Sequence, residues 1–190
     1  MSHDPALEAH EQAEHAEHAV HEGNPFIAKV SITIAVLAVM AAAAGSLETV
    51  EGGRAITASS QAVLAQDQAT DAWNEYQADS LKRHMYDLAA DNGGAHQGEY
   101  KSDSADQRGE QDKARKSAGD FEKQRDAQLR DSAVHEERHH WLTGAATLIE
   151  ISIALSTVAI ITRRAPFWFG AIGLGAVGAA LFAFAYLGSA

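Results

Sequence analysis

The chain has 190 residues and a formal net charge of -11, with 15 Lys and Arg against 26 Asp and Glu. This acidic balance excludes nucleic acid as a partner, because phosphate binding requires clustered basic side chains. Cysteine is absent, which excludes disulfide and thiolate chemistry. The apolar residues are gathered into separate blocks, a distribution that argues against one conventional soluble core.

The chain begins with an acidic tail, residues 1–25, which contains six acids, five histidines and neither Lys nor Arg. In a helix, His10, Glu14 and His18 would share one face, and such faces coordinate zinc, nickel or copper. Nothing in the tail buries or orients these ligands. A solvated tail without a cofactor is therefore the first interpretation, and loose metal chelation is the alternative.

Three charge-poor stretches follow, at residues 26–47, 141–162 and 166–188. Each is long enough to cross a bilayer, because about 20 helical residues cover about 30 Å of hydrocarbon. The first stretch lacks the short basic start of a cleaved signal peptide, so we interpret it as an uncleaved anchor. The pattern predicts an integral membrane protein with three transmembrane helices.

The shortest loop predicts the orientation of these spans. It lies between the second and third spans and carries Arg163 and Arg164, and short basic loops stay on the cytoplasmic side. The N-terminus is then cytoplasmic, and residues 48–140 lie outside the cytoplasm.

Residues 48–140 lack proline and are rich in helix formers. Gly52-Gly53 and the turn signal from Asp91 to Gly94 are the expected breaks. The segment is predicted to be a coiled-coil-like helical hairpin within an all-α fold. On the ascending arm, the predicted buried face consists of Val63 or Leu64, Trp73, Tyr76, Leu81, Met85 and Leu88, which recur at helical spacing.

The descending arm offers little apolar area, so burial against further copies of the chain is expected to stabilise the hairpin. In the third span, small residues recur every four positions, a pattern that permits close helix contact in lipid. They are Ala171, Gly175, Ala179 and Ala183. The sequence predicts a homo-oligomer that packs through them, and packing within one chain is the alternative.

Glu150 is the most informative single residue. It lies nine residues past Trp141, about 13 Å into the membrane by helical rise. Intramembrane carboxylates face protein or water and often mark ion or proton paths. One interpretation is a protonated side chain that bonds Ser31 or Thr33 of the first span, and the other is an ion or proton pathway.

The string from His135 to His139 matches the H-E-x-x-H zinc-protease pattern. We interpret the match as accidental, because the variable positions, Glu137 and Arg138, are charged and no enclosing domain follows. A non-catalytic metal site formed by His135, His139 and either Glu136 or His140 is the alternative.

Several runs of residues resemble those of an uncharacterised bacterial membrane family, the domain of unknown function DUF4337. They are Pro25-Phe26-Ile27, Gly45-Ser46-Leu47-Glu48-Thr49-Val50, Trp73 with Tyr76, Ile151-Ser152-Ile153-Ala154-Leu155 and Thr162-Arg163-Arg164. The resemblance implies a bacterial source, and thus an inner-membrane protein whose residues 48–140 are periplasmic. It brings no activity or binding residues.

Three functional hypotheses follow, and none of them is an enzyme. The first is an oligomeric structural or interaction protein, a scaffold or accessory subunit, whose hairpins contact one another or a partner complex. The second is an oligomeric channel or transport component that uses Glu150. The third is a metal sensor that uses the histidine clusters.

Overall fold

The computed structural model describes residues 25–187, which form three α-helices and, within that range, no β-strand. Helix α1 comprises Pro25–Asp91, α2 comprises Gln97–Thr162 and α3 comprises Ala165–Leu187. Each helix contains a stretch that is long and apolar enough to cross a membrane. The all-α prediction with three long apolar helices is confirmed, and these helices are consistent with a multi-pass membrane protein.

The helix ends follow the glycine pattern at one predicted break but not at the other. Between α1 and α2, Gly93 and Gly94 have φ angles of 74° and 115°, a left-handed conformation that favours glycine. The break predicted at Gly52-Gly53 was wrong, because α1 continues through both residues. Each helical glycine costs about 1 kcal/mol relative to alanine, and packing of Gly52 beside the His139 ring offsets that cost.

The chain divides into two compact units. Unit 1 contains the described residues up to Ala55 and those from Ala133 onward, so it includes the apolar stretches of all three helices. Unit 2 is Ile56–Ser132 and contains the remaining parts of α1 and α2.

Alanine forms most of the seam between the two helices of unit 2. From α1 the buried alanines are at positions 58, 62, 65, 69, 72 and 90, and from α2 they include Ala114 and Ala118. Alternating steps of four and three residues keep one narrow stripe of a helix turned toward its partner. Because the alanine side chain is so small, the two backbones can approach closely, but the seam buries little apolar area per residue.

The predicted buried face of the ascending arm was therefore wrong. Between residues 58 and 72, alanine occupies the contact positions at the 3.5-residue period, and the larger aliphatic side chains fall on other faces of the same helix. Trp73 and Tyr76 are half-buried at the edge of the seam, whereas the exposed residues are Val63, Leu64, Leu81, Met85 and Leu88.

Hydrogen bonds between the helices establish that unit 2 is antiparallel. Trp73 Nε1 donates to Glu122 Oε1 at 2.9 Å, and Arg125 donates to Gln66 Oε1 at 2.6 Å. As the residue number rises along α1, the partner number falls along α2. The tip at Gly93 and Gly94 thus joins two paired helices, as the hairpin prediction requires.

Among the described residues, three buried polar side chains interrupt the alanine seam: Asp79, Ser104 and Gln111. Asp79 accepts a hydrogen bond from Lys82 Nζ at 2.9 Å, and Gln111 accepts one from Arg83 at 2.8 Å. The Asp79 carboxylate raises the pKa of the Lys82 ammonium above its ordinary value of 10.5. Asp79 and Gln111 are thus each satisfied by a long basic side chain, which avoids the cost of an unpaired polar group.

Aliphatic side chains form the core of unit 1. Val30, Ile34 and Leu37 of α1 pack against Ile149 and Ile153 of α2, and all five are buried. These residues recur at intervals of three and four, so the apolar parts of α1 and α2 also pair along narrow stripes.

Glycine lets α3 pack closely against this core. A Cβ atom added at Gly178 would lie 2.8 Å from Ile149 Cγ1 and 3.1 Å from the Ala145 carbonyl oxygen. One added at Gly175 would lie 2.7 Å from Leu37 Cδ2. The absence of a side chain at these two positions therefore sets the distance at which α3 packs.

Gly178→Ala is expected to lower the stability of unit 1 by about 1–3 kcal/mol, the usual cost of overpacking a close contact. Part of the clash is with backbone, which cannot move like a side chain. Thermal unfolding in mild detergent measures the effect. Gly173→Ala is the matched control, since a Cβ there meets nothing within 4 Å. Equal melting temperatures for the two variants would contradict this packing.

Candidate functional site

Glu150 lies on the outside of unit 1. The α2 residues before and after it, Ala146, Ile149 and Ile153, are buried against the rest of the unit, whereas Glu150 is exposed. Its carboxyl group is thus on the outer face of the longest apolar stretch of α2, where neither α1 nor α3 covers it. In a membrane, this position is the most costly one for a charged side chain.

Glu150 belongs to a row of exposed polar and small residues, which we name the Glu150 row. Steps of four and three residues place the members on one face of α2. They are Thr143, Thr147, Glu150, Ala154 and Thr157.

Two threonines of the Glu150 row donate their hydroxyl hydrogens to the helix backbone. Thr147 and Thr157 donate to the carbonyl oxygens four residues earlier, at 2.8 and 3.1 Å. A hydroxyl that donates inward still has oxygen lone pairs that face outward. The row therefore offers hydrogen-bond acceptors along its length and one carboxyl group near its centre.

The predicted bond from Glu150 to Ser31 or Thr33 was wrong. Thr33 accepts a hydrogen bond from Trp168 Nε1 at 3.1 Å and donates its own to Lys29 O at 2.9 Å. Ser31 is buried, and in the described part of the chain its hydroxyl has no hydrogen-bond partner. Ser31 is buried and Thr33 is half-buried, whereas Glu150 is exposed on the surface of unit 1.

A second polar site, the Glu51 cluster, lies between α1 and α2 inside unit 1. Glu51 is only 1% exposed. Its Oε2 lies 2.5 Å from His135 Nδ1 of α2, and its Oε1 lies 3.4 Å from an Arg54 nitrogen of α1. Arg138 lies over the Tyr186 ring, with its guanidinium carbon 5.9 Å from the ring centre.

The next turn of α1 and α2 extends the polar contacts. His139 Nδ1 lies 3.1 Å from the Glu48 carbonyl oxygen, which requires the hydrogen on Nδ1. Thr143 Oγ1 lies 2.7 Å from the Glu48 carboxylate. The missing side chain of Gly52 makes room for the imidazole, since a Cβ there would lie 3.2 Å from His139 Nδ1.

The H-E-x-x-H pattern therefore has a structural role in this chain. His135 and His139 both turn Nδ1 toward α1, and His140 is exposed with its ring 6.0 Å from that of His139. Between residues 25 and 187, no group of three or more His, Cys, Asp or Glu side chains is placed to hold a metal ion. The tail residues His10, Glu14 and His18 lie outside the described residues, so metal binding there stays a prediction.

The small residues of α3 divide between two environments. Ala171 and Gly175 are buried, and Ser152 Oγ of α2 donates to the Ala171 carbonyl oxygen at 2.5 Å. Ala179 is half-buried, and Ala183 is exposed. Ala171 and Gly175 therefore pack within the chain, which is the alternative considered for this pattern. Self-association through the small residues of α3 stays a prediction.

Sequence reasoning identified Glu150 but missed the Glu51 cluster. Glu51 and His135 are 84 residues apart, and nothing local pairs them. A signal does exist in the sequence, because Glu51 falls at the 3.5-residue period that Ala44 and Ala58 mark as buried. An acid at a seam position indicates that a partner lies on the facing helix.

His135→Ala is expected to destabilise unit 1 by about 3 kcal/mol, because breaking a buried pair leaves the remaining carboxylate without its partner. Chemical unfolding in mild detergent measures the change. His140→Ala is the control, since His140 is exposed five residues along the same helix. A His135→Ala protein as stable as the control would show that the pair contributes nothing to folding.

Comparison with known proteins gives one match. The sequence profile of DUF4337, described as a domain of unknown function, matches residues 26–188. Neither a curated protein nor a solved structure gives a significant match.

Proposed function

Because the chain belongs to the DUF4337 family, whose description assigns no function, we propose its function from its own geometry. It is a non-enzymatic protein of the bacterial inner membrane that assembles from several copies and presents unit 2 as an interaction surface, in the manner of a scaffold or accessory subunit. The lipid bilayer and further copies of the chain are its partners.

Three helices with apolar stretches of membrane-spanning length support the location. The linker between α2 and α3 consists of Arg163 and Arg164, and short basic loops are retained in the cytoplasm. In this orientation the N-terminal tail is cytoplasmic, and residues 48–140 are periplasmic.

The observation that carries the proposal is an apolar ridge on the outside of unit 2, formed by Leu81, Met85 and Leu88. These side chains are 63%, 62% and 65% exposed. They occupy three successive turns of α1 on the face opposite its seam positions. Contiguous apolar surface of this kind marks an interaction site on a water-exposed domain.

A second copy of the same chain is the partner that fits this ridge. The ridge is a straight line of side chains on one helix. Ridges of this form pack side by side, as knobs of one helix between those of another.

Replacement of Leu81, Met85 and Leu88 by serine is expected to weaken self-association about tenfold or more while helix content is retained. The apolar area that drives contact is lost, and the seam lies on the other side of the helix. Mass measurement of the detergent-solubilised particle over a wide concentration range checks this.

A matched triple variant controls for the number of substitutions. Asp112, Lys116 and Lys123 are exposed on α2, and their replacement by serine should leave the assembly unchanged. Native chain that remains monomeric at every concentration would contradict the proposal. If the native chain associates only with a different protein, that protein and not a second copy is the partner. This result would also contradict the proposal.

The exposed position of Glu150 favours a second candidate function, an ion or proton path between several copies of α2. Oxygen atoms of the Glu150 row are suitable ligands for hard cations and protons. Flux into liposomes separates the candidates. The channel requires flux through native protein that falls in Glu150→Gln, whereas the scaffold requires both proteins to be equally silent.

A further inference from the structure

The exposed carboxyl group of Glu150 needs a partner that one chain does not provide. On membrane insertion scales, an acid at the centre of a helix costs about 2.5–3.5 kcal/mol. The buried acids Glu51 of unit 1 and Asp79 of unit 2 are each paired with a donor, whereas Glu150 has only the outer surface of α2 around it. A second chain packed over the Glu150 row removes the carboxyl group from hydrocarbon.

The hydrogen-bonding groups of the row determine what suits it. Thr147 and Thr157 present acceptors, because their hydrogens are held by the helix backbone. Glu150 in its protonated form supplies a donor and an acceptor together. The row is therefore self-complementary: a second copy of the same surface matches it in hydrogen bonding, whereas an apolar helix would leave the carboxyl group unmatched.

Membrane insertion decides which residues meet across such a contact. All copies insert in the same direction, so the axis that relates two copies is parallel to the membrane normal. Rotation about that axis keeps every residue at its own depth. Glu150 of one copy therefore lies at the level of Glu150 of the next, and Ala154 at the level of Ala154.

We propose that the Glu150 row is the intramembrane contact between two copies, in which the protonated carboxyl group of each Glu150 donates to the carboxyl group of the other. This inference rests on the proposed self-association and identifies the surface that mediates it in the bilayer. Ala154 allows close approach of the two α2 helices one turn from the carboxyl pair. The third helix leaves the contact free, since it packs against Ala145 and Ser152 on another face of α2.

Disulfide formation tests the contact directly, because the natural chain contains no cysteine. Ala154→Cys in native membranes should form a disulfide-linked dimer on addition of copper phenanthroline, since the two Cβ atoms lie near the axis. Ile151→Cys on the neighbouring face of α2 and Val177→Cys on α3 are matched controls, as both are exposed. The Ala154→Cys dimer should exceed each control about tenfold, and equal yields at the three positions would overturn the proposal.

Substitution of Glu150 in the Ala154→Cys chain tests the role of the carboxyl group. Glu150→Leu should reduce dimer yield about tenfold, although leucine is more favourable than glutamate in a membrane helix. Glu150→Gln should keep most of the dimer yield, because two carboxamides form hydrogen bonds with each other in the same way. Unchanged yield with leucine, or loss with glutamine, would overturn the carboxyl pair.

Measurement of particle mass distinguishes the failure of this inference from the failure of the proposed function. Absence of the Ala154→Cys dimer from a protein that is still oligomeric would reject the Glu150 contact and leave self-association through unit 2. A monomeric protein at every concentration would reject both.

Discussion

A carboxyl group in the middle of an apolar helix is the constraint on which the rest of this account depends. Glu150 lies outside the packed interior of unit 1, whereas the buried acid Glu51 is paired with His135 of α2 and Arg54 of α1. The chain therefore accommodates one acid, Glu51, in the interior of unit 1. That contrast is the reason to assign Glu150 a contact between chains.

The small side chains in the seam of unit 2 account for the second exposed surface, the apolar ridge. In unit 2, alanine at the contact positions brings α1 and α2 close together, and the larger apolar residues then face outward. A leucine-rich seam would have buried apolar area within one chain. The alanine seam leaves Leu81, Met85 and Leu88 as an exposed ridge, so the same choice of residues determines the internal packing and the surface of the proposed self-association.

The sequence predicted the fold at the level of whole helices. Charge-poor stretches of about 20 residues and the glycine turn at Gly93-Gly94 are long or local signals, and both identified real features. The sequence did not predict which face of α1 is buried, because hydropathy ranks leucine above alanine and gives no weight to how closely helices can approach. Gly52-Gly53 was misread for a related reason, since a tertiary contact with His139 compensates for poor helix propensity.

The candidate site was predictable only in part. Glu150 is conspicuous because it interrupts an apolar run, but its exposure depends on which side of α2 the other helices occupy. The pairing of Glu51 with His135 depends on the register between helices, which one sequence does not fix. The threonine spacing was visible in the sequence, whereas the inward donation that leaves acceptors outside is a matter of side-chain rotamers.

Energy transfer between labelled chains in liposomes tests self-association in the bilayer most directly. Chains carrying donor or acceptor dyes at an introduced Ser102→Cys, an exposed site, are reconstituted together and then diluted with lipid. Specific association predicts transfer that persists on dilution and falls when unlabelled chain is added. Transfer that declines in proportion to the added lipid, as for randomly mixed monomers, would contradict the account.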